Sequence, residues 1–329
     1  MTTAGSEGER ARLRRWQDMT GPQIAELDPA KTIVLVTCSP LEVHGPHLPT
    51  SADMTESEGL LEATATKILA RRDDLTFVML PPVYAASDVL AHRGSLKFSP
   101  NVVTTILEEL GATLARQGFR HVWVGNFHAG PRHILAIERA CDRVNRRHDA
   151  RMVSVFSLLV KRITGGSSDA SAFLAGVGGI SKQDLHGDSH GGVVETSMLL
   201  HLVGRHVDPR YADLPPRSLE LDLERAGRAP LQKADKPTVL EIIRSLPLRA
   251  RYYDRETYAG IPARASAELG REYLDRFSSE AATALLELWD GKIGLEEQYS
   301  PMWPFRRVML SELVYRAFDK LVGLKPSPI

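Results

Sequence analysis

Short apolar runs alternate along this chain with longer stretches whose apolar residues recur at helical spacing. The run Thr32–Val36 is unbroken, the pattern of a strand covered on both faces. Leu75–Leu80 and His121–Gly125 repeat it, and Arg151–Leu158 predicts a fourth strand. Between them, Thr55–Arg71 carries Leu60, Leu61, Ile68 and Leu69 on one face and predicts a helix. Ser99-Pro100 supplies an N-cap and a proline at the first helical position, opening a helix to about Gln117. Pro131–Arg147 predicts another helix, with Ile134, Leu135, Ile137, Ala140, Cys141 and Val144 inward. Gly192–Leu202 and Ala263–Leu288 predict two more. After the aromatic turn Met302-Trp-Pro-Phe305, an amphipathic helix is expected, its stripe formed by Leu310, Leu313, Val314, Ala317, Phe318 and Leu321.

This alternation predicts a three-layer α/β/α fold with a mostly parallel central sheet. Residues 1–19 are expected to be a polar arm or short helix, 20–290 the main domain, and 291–329 a C-terminal extension. Residues 165–190, rich in Gly, Ser and Asp, suit a mobile loop, and 209–255 an irregular charged insertion. In open α/β sheets ligands bind beyond the carboxyl ends of the strands. The polar residues fall there. Glu42, His44 and Asp53 follow the first strand, His128 follows the third, and His186-Gly-Asp-Ser-His190 lies beyond the fourth.

Composition narrows the function. Among 329 residues, 41 Lys and Arg balance 41 Asp and Glu, without the basic excess of a general nucleic-acid binder. The charged N-terminus lacks the apolar core of a secretory signal, and no apolar run approaches the roughly 20 residues of a membrane-spanning helix. Two cysteines, Cys38 and Cys141, are too few for a disulfide framework. A cytoplasmic protein with a small-molecule substrate, and no nucleic-acid or membrane partner, is the expectation. Cys38 follows a buried strand without an evident base and is expected to pack rather than react.

The chemistry concentrates in three segments. In Ser39-Pro-Leu-Glu42-Val-His44-Gly-Pro-His-Leu-Pro49, Glu42 and His44 are two apart, on one face of an extended chain. With Asp53 they offer oxygen and nitrogen donors suited to a divalent metal. Asp53-Met-Thr-Glu56 is also a capping-box pattern, so Asp53 is read as a helix cap as well as a donor. His128 lies in Val124-Gly-Asn-Phe-His-Ala-Gly130, between a strand and a helix start. In Asp188-Ser-His-Gly-Gly-Val-Val-Glu-Thr-Ser197, Glu195 stands in an otherwise apolar helix start, a costly place for an unpaired carboxylate.

These segments resemble the signatures of the creatininase family of metal-dependent amidohydrolases. Glu42-Val-His44-Gly-Pro-His-Leu-Pro49 with Asp53 is similar to the first, Asn126-Phe-His128-Ala-Gly to the second, and His190-Gly-Gly-Val-Val-Glu195-Thr-Ser197 to the third. Gly260-Ile-Pro-Ala-Arg-Ala-Ser-Ala-Glu-Leu-Gly270 is similar to a fourth, so the likeness runs over roughly 30–290. Val43, Phe127 and Pro131 depart from the family pattern, and Gly130 stands where some relatives carry a metal-binding glutamate.

The resemblance implies two divalent ions, zinc or manganese with iron as an alternative. Glu42, Asp53 and His128 would hold one, and His44, Asp53 and Glu195 the other, with Asp53 bridging. It implies hydrolysis of an amide or lactam C–N bond by a metal-activated water. His190 would be the proton donor to the leaving nitrogen, Glu195 would share in catalysis, and His47 would fix ligand orientation. Expected substrate contacts are Tyr84, Arg93, Asn126, Arg132 and Asp188, with His133 a rival. Ring opening of a carbocyclic diketone, cleavage of a modified peptide, single-iron oxygen chemistry and a retired binding or assembly subunit are the alternatives. The family also implies a homo-oligomer, often a hexamer.

Overall fold

Every residue of β2 (Thr32–Thr37) is buried, because helices cover this strand from both sides. The structure, a computed structural model, describes residues 12–165, 170–228 and 239–322. Five parallel strands lie in the order β1-β3-β2-β4-β5: β1 (Leu13–Arg15), β2, β3 (Thr76–Met79), β4 (His121–Gly125) and β5 (Arg151–Ser154). Ile33, Leu35, Phe77, Met79, Trp123 and Val153 face one layer, where α1 (Ala52–Leu69), α4 (Val155–Thr164), α5 (Val193–Val203) and α7 (Ala267–Trp289) pack. Val34, Val36, Val122, Val124 and Met152 face the other, beneath α2 (Pro100–Arg116) and α3 (Pro131–Arg147). The expected α/β/α layering is observed.

Strand order places the site. After β2 the chain moves outward to β3, and β4 returns on the other side of β2. The loops leaving β2 and β4 therefore diverge at their carboxyl ends and open a crevice between them.

Several local expectations change. Leu13–Arg15, at the end of the expected polar arm, pairs with β3 as an edge strand, while residues 1–11 lie outside the described residues. The fourth strand stops at Ser154. Val155, Leu158 and Leu159 then recur at helical spacing against the core, and Ser154 and Ser157 share a hydroxyl hydrogen bond of 2.9 Å across the turn. The 209–255 insertion contains a long helix, α6 (Val239–Glu256), which carries Pro247. Leu248 and Tyr252, one turn apart on it, pack with Leu219, Leu223 and Ala259. Residues 166–169 and 229–238 lie outside the described residues.

The terminal helix α8 (Glu312–Val322) does not bury its expected stripe. Leu310, just before it, is buried, but Leu313 is 80% exposed. Tyr315 and Asp319 point inward instead, because a charged partner awaits Asp319. The Leu321 side chain lies outside the described residues. No helix among the described residues is long and apolar enough to cross a membrane.

Candidate metal centre

The loop after β2 carries Glu42 and His44, both buried. Its path is fixed by backbone hydrogen bonds from Glu42 N–H to the Thr50 carbonyl at 2.8 Å and from Gly45 N–H to the Thr257 carbonyl at 2.7 Å. Asp53 sits in the first turn of α1, whose N-cap is Ser51. It is inside the helix rather than at its cap, so the capping-box reading fails, and its carboxylate is left for the site.

Two of the donor-atom clusters that result include Asp53. Glu42, Asp53 and His128 offer one ligand atom each within 4.8 Å of one another, and so do His44, Asp53 and Glu195. Asp53 spans them. Its Oδ1 lies 3.4 Å from His44 Nε2, and its Oδ2 lies 3.6 Å from His128 Nδ1. Glu42 Oε2 is 3.1 Å from the same Nδ1, and Glu195 Oε2 is 3.8 Å from His44 Nε2.

Hydrogen bonds fix the histidine tautomers. His44 Nδ1 lies 3.0 Å from the Glu42 carbonyl, and His128 Nε2 lies 3.1 Å from the Ser87 carbonyl. A carbonyl only accepts, so each of these nitrogens carries a proton. A neutral ring then turns a bare nitrogen toward two carboxylate oxygens. His44 Nε2, Glu42 Oε2 and Asp53 Oδ2 are buried and have no hydrogen-bond partner among the described residues. Such buried atoms are costly unless a cation or protons join them.

Electrostatics agree. Burial opposes charge on His44, but Asp53, then Glu195 and Glu42, outweigh it and push the ring up to about 10. Burial likewise opposes charge on His128, and Glu42, Asp53 and Asp88 push it up to about 9. Burial would raise Asp53, but His44 and His128 carry it down to about 2. Glu195 stays above the ordinary carboxylate range because burial and Asp53 exceed the pull of His44. Without a cation the cluster compensates its carboxylates with protons.

Glu195 is held at the start of α5. Gly191 adopts φ +59, a left-handed conformation natural to glycine, and its N–H donates to Glu195 Oε2 at 2.6 Å. His190 stacks on His44 with ring centroids 4.0 Å apart, and its Nε2 donates to the Val43 carbonyl at 3.0 Å. One of its nitrogens also lies within 4.8 Å of ligand atoms of Glu42 and His44. Burial, then the neighbouring His44, depress His190 to about 4 and keep it neutral. His47 braces this region by donating from Nε2 to the Thr196 hydroxyl at 2.8 Å. A Cβ at Gly130 would run into His128 and Asp88, so no carboxylate fits there without rearrangement.

Several expected substrate contacts are engaged elsewhere. Asn126 accepts from Ser39 Oγ at 3.0 Å and from His128 N–H at 2.9 Å, and donates to the His128 carbonyl at 2.7 Å. It shapes the histidine loop. Asp188 Oδ2 accepts from Val193 N–H at 2.6 Å and anchors the start of α5. Burial pushes Asp188 up to about 7. Arg132 is buried between Asp88 and Asp319, and His133 is buried with Nε2 3.0 Å from the Cys38 carbonyl. Tyr84 and Arg93 remain exposed on the loop after β3. Cys38 is buried and pushed up to about 12 by that burial, as fits a packing residue.

Three residues escaped sequence reasoning. Leu90 N–H donates to Glu42 Oε1 at 2.5 Å, a backbone contact that no side-chain motif encodes. Asp88 holds Arg132 from a left-handed backbone of φ +61. Glu56 is fully buried, and neither of its carboxyl oxygens has a hydrogen-bond partner among the described residues. Burial, then Glu195 and Asp53, push it well above the ordinary carboxylate range. Its three-residue step from Asp53 along α1 was the available signal.

A family model described as creatinine amidohydrolase matches residues 17–285. A solved creatinine amidohydrolase (creatininase) is 18% identical, covers 82% of this chain and 96% of its own, and superposes with a TM-score of 0.55. A manganese creatininase is 17% identical over 83% of this chain and 97% of its own, with a TM-score of 0.54. A mutant creatininase complexed with creatine is 16% identical over 83% and 97%, with a TM-score of 0.55. At these identities the structures speak for the fold. No curated protein sequence matches the chain.

Proposed function

The chain belongs to the creatininase family of metal-dependent amidohydrolases, and from that premise we propose that it hydrolyses a C–N bond in a small amide or lactam using two divalent cations. Zinc and manganese suit the mixed carboxylate and imidazole donors. Glu42, Asp53 and His128 would hold one cation, and His44, Asp53 and Glu195 the other. The observation that carries this reading is the pair of histidine tautomers. Both rings commit an N–H to a backbone carbonyl and turn the remaining nitrogen toward Asp53.

Divalent cations there would supply a strong nucleophile from water near neutral pH and polarise the carbonyl under attack. The chain's own groups do the rest. Asp53, Glu42 and Glu195 concentrate negative charge in a buried volume. His190, neutral beside His44, is the group placed to accept a proton and return it to the leaving nitrogen. Gly191 N–H and His47 hold the start of α5, and with it Glu195. Arg93 and Tyr84, exposed on the loop that braces Glu42 and His128, are the proposed substrate contacts.

The test combines metal analysis of the purified protein with a hydrolysis screen of lactams, formamides and cyclic ketones. The expected result is two zinc or manganese ions per chain and C–N hydrolysis that stops on chelation. Full activity after exhaustive chelation would overturn the reading.

A further inference from the structure

Asp319 lies in the C-terminal extension, beyond the residues matched by the family, yet it is completely buried. A buried carboxylate needs partners, and it has two cations. Lys97 Nζ donates to Oδ2 at 2.5 Å, and Arg132 Nη2 donates to Oδ1 at 2.9 Å. The Arg132 guanidinium also lies over the Phe318 ring at 5.1 Å and the Tyr315 ring at 5.8 Å, and donates to the Tyr315 carbonyl at 3.3 Å. Helix α8 is therefore pinned to the main domain through Arg132 and Lys97.

Arg132 reaches in the other direction as well. Its Nε pairs with Asp88, and its backbone N–H donates to Asp88 Oδ2 at 2.6 Å. Asp88 holds a left-handed backbone of φ +61, uncommon for a non-glycine residue although aspartate adopts it more readily than most. Its neighbours face the site. The Ser87 carbonyl receives His128 Nε2 at 3.1 Å, and Leu90 N–H holds Glu42 Oε1 at 2.5 Å. A continuous set of charge-assisted hydrogen bonds thus runs from the C-terminal helix to the loop that orients two members of one donor cluster.

We propose that Asp319 and Arg132 are positioning residues, through which the C-terminal helix holds the Ser87–Leu90 loop and so sets the orientation of Glu42 and His128. This assignment rests on reading Glu42, Asp53 and His128 as a cation site. Outer contacts of this kind commonly alter metal affinity by about 10–100-fold.

The test compares the full chain with Asp319→Asn, which keeps the volume and removes the charge. A control, Glu312→Gln, breaks only an exposed ion pair with Arg316 on the same helix. Manganese and zinc are titrated against a chromophoric chelator, and amide hydrogen exchange is followed in the metal-free proteins. In Asp319→Asn, one of the two cations is expected to weaken by about 10-fold or more, and the other to change little. Exchange should rise in 86–91 while α1 and α5 keep their protection. Unchanged loop exchange in Asp319→Asn, or an equal effect from Glu312→Gln, overturns the proposal. Wild-type protein that takes up no metal overturns the cation-site reading instead, and the metal-free exchange still decides whether the helix holds the loop.

Discussion

Nε2 of His44 stands 3.4 Å from Oδ1 of Asp53 and has no hydrogen-bond partner among the described residues. Its ring has already given Nδ1–H to the Glu42 carbonyl. Without a cation, the surrounding carboxylates hold protons on His44, at about 10, and on His128, at about 9. Both rings are therefore charged at neutral pH, and a cation must displace those protons. Filling both clusters at pH 7 is expected to release roughly two protons per chain. Calorimetric titration in buffers of different ionisation enthalpy measures that release. Binding of two cations with no proton release would mean that both rings are already neutral in the metal-free protein.

Asp53 spans both clusters, whereas Glu195 belongs to one. Asp53→Ala should therefore cost binding of both cations and lower kcat/KM by more than the roughly 10–100-fold typical of outer contacts. Glu195→Gln should weaken one cation and leave the other in place. Metal content after dialysis, beside kcat/KM on an active substrate, separates the two variants. Equal loss in both would show that the clusters are not independent.

The layers, the parallel sheet and both donor clusters were legible because they rest on local pattern. β4 and α3 occur at the expected bounds, where an apolar run and a proline at the first helical position set them. Glu42, His44, Asp53, His128 and Glu195 converge because parallel strands bring their following loops to one edge. What stayed hidden depends on partners distant in sequence. Arg132 resembles a substrate contact until Asp319, 187 residues later, is found beside it. The stripe on α8 misleads because an inward Asp319 outweighs an outward Leu313. Asp53 mimics a cap, but Ser51 starts the helix two residues earlier.

Asp188 distinguishes a structural anchor from a substrate contact. Its carboxylate receives Val193 N–H at the start of α5, close to where Glu195 must be held. Asp188→Ala should lower stability by about 1–2 kcal/mol, the usual cost of losing an oxygen that satisfies a helix N-terminus. KM across a substrate series should keep its rank order. Chemical denaturation and steady-state kinetics read the two effects. A change of substrate preference without loss of stability would return Asp188 to the binding site.

Glu138 gives a pH prediction away from the donor clusters. It is fully buried on α3 and receives Ser300 N–H at 2.8 Å and the Ser300 hydroxyl at 3.2 Å, tying the C-terminal extension to that helix. Burial pushes it up to about 7, only partly offset by these donors, by Ser157 and by Lys161. A carboxyl raised in the folded state binds its proton more tightly there than in the unfolded chain. Its contribution is complete below the ordinary carboxylate value of 4.5 and is lost as pH rises toward about 7. The loss is on the order of 3 kcal/mol. Asp188 titrates in the same direction, so wild type alone does not isolate Glu138. Glu138→Gln preserves an acceptor for Ser300 and cannot ionise. Its stability relative to wild type should therefore improve steadily between pH 4.5 and 7 and level off above, measured by denaturant unfolding of metal-free protein. A difference that stays constant across that range would mean Glu138 is ionised throughout.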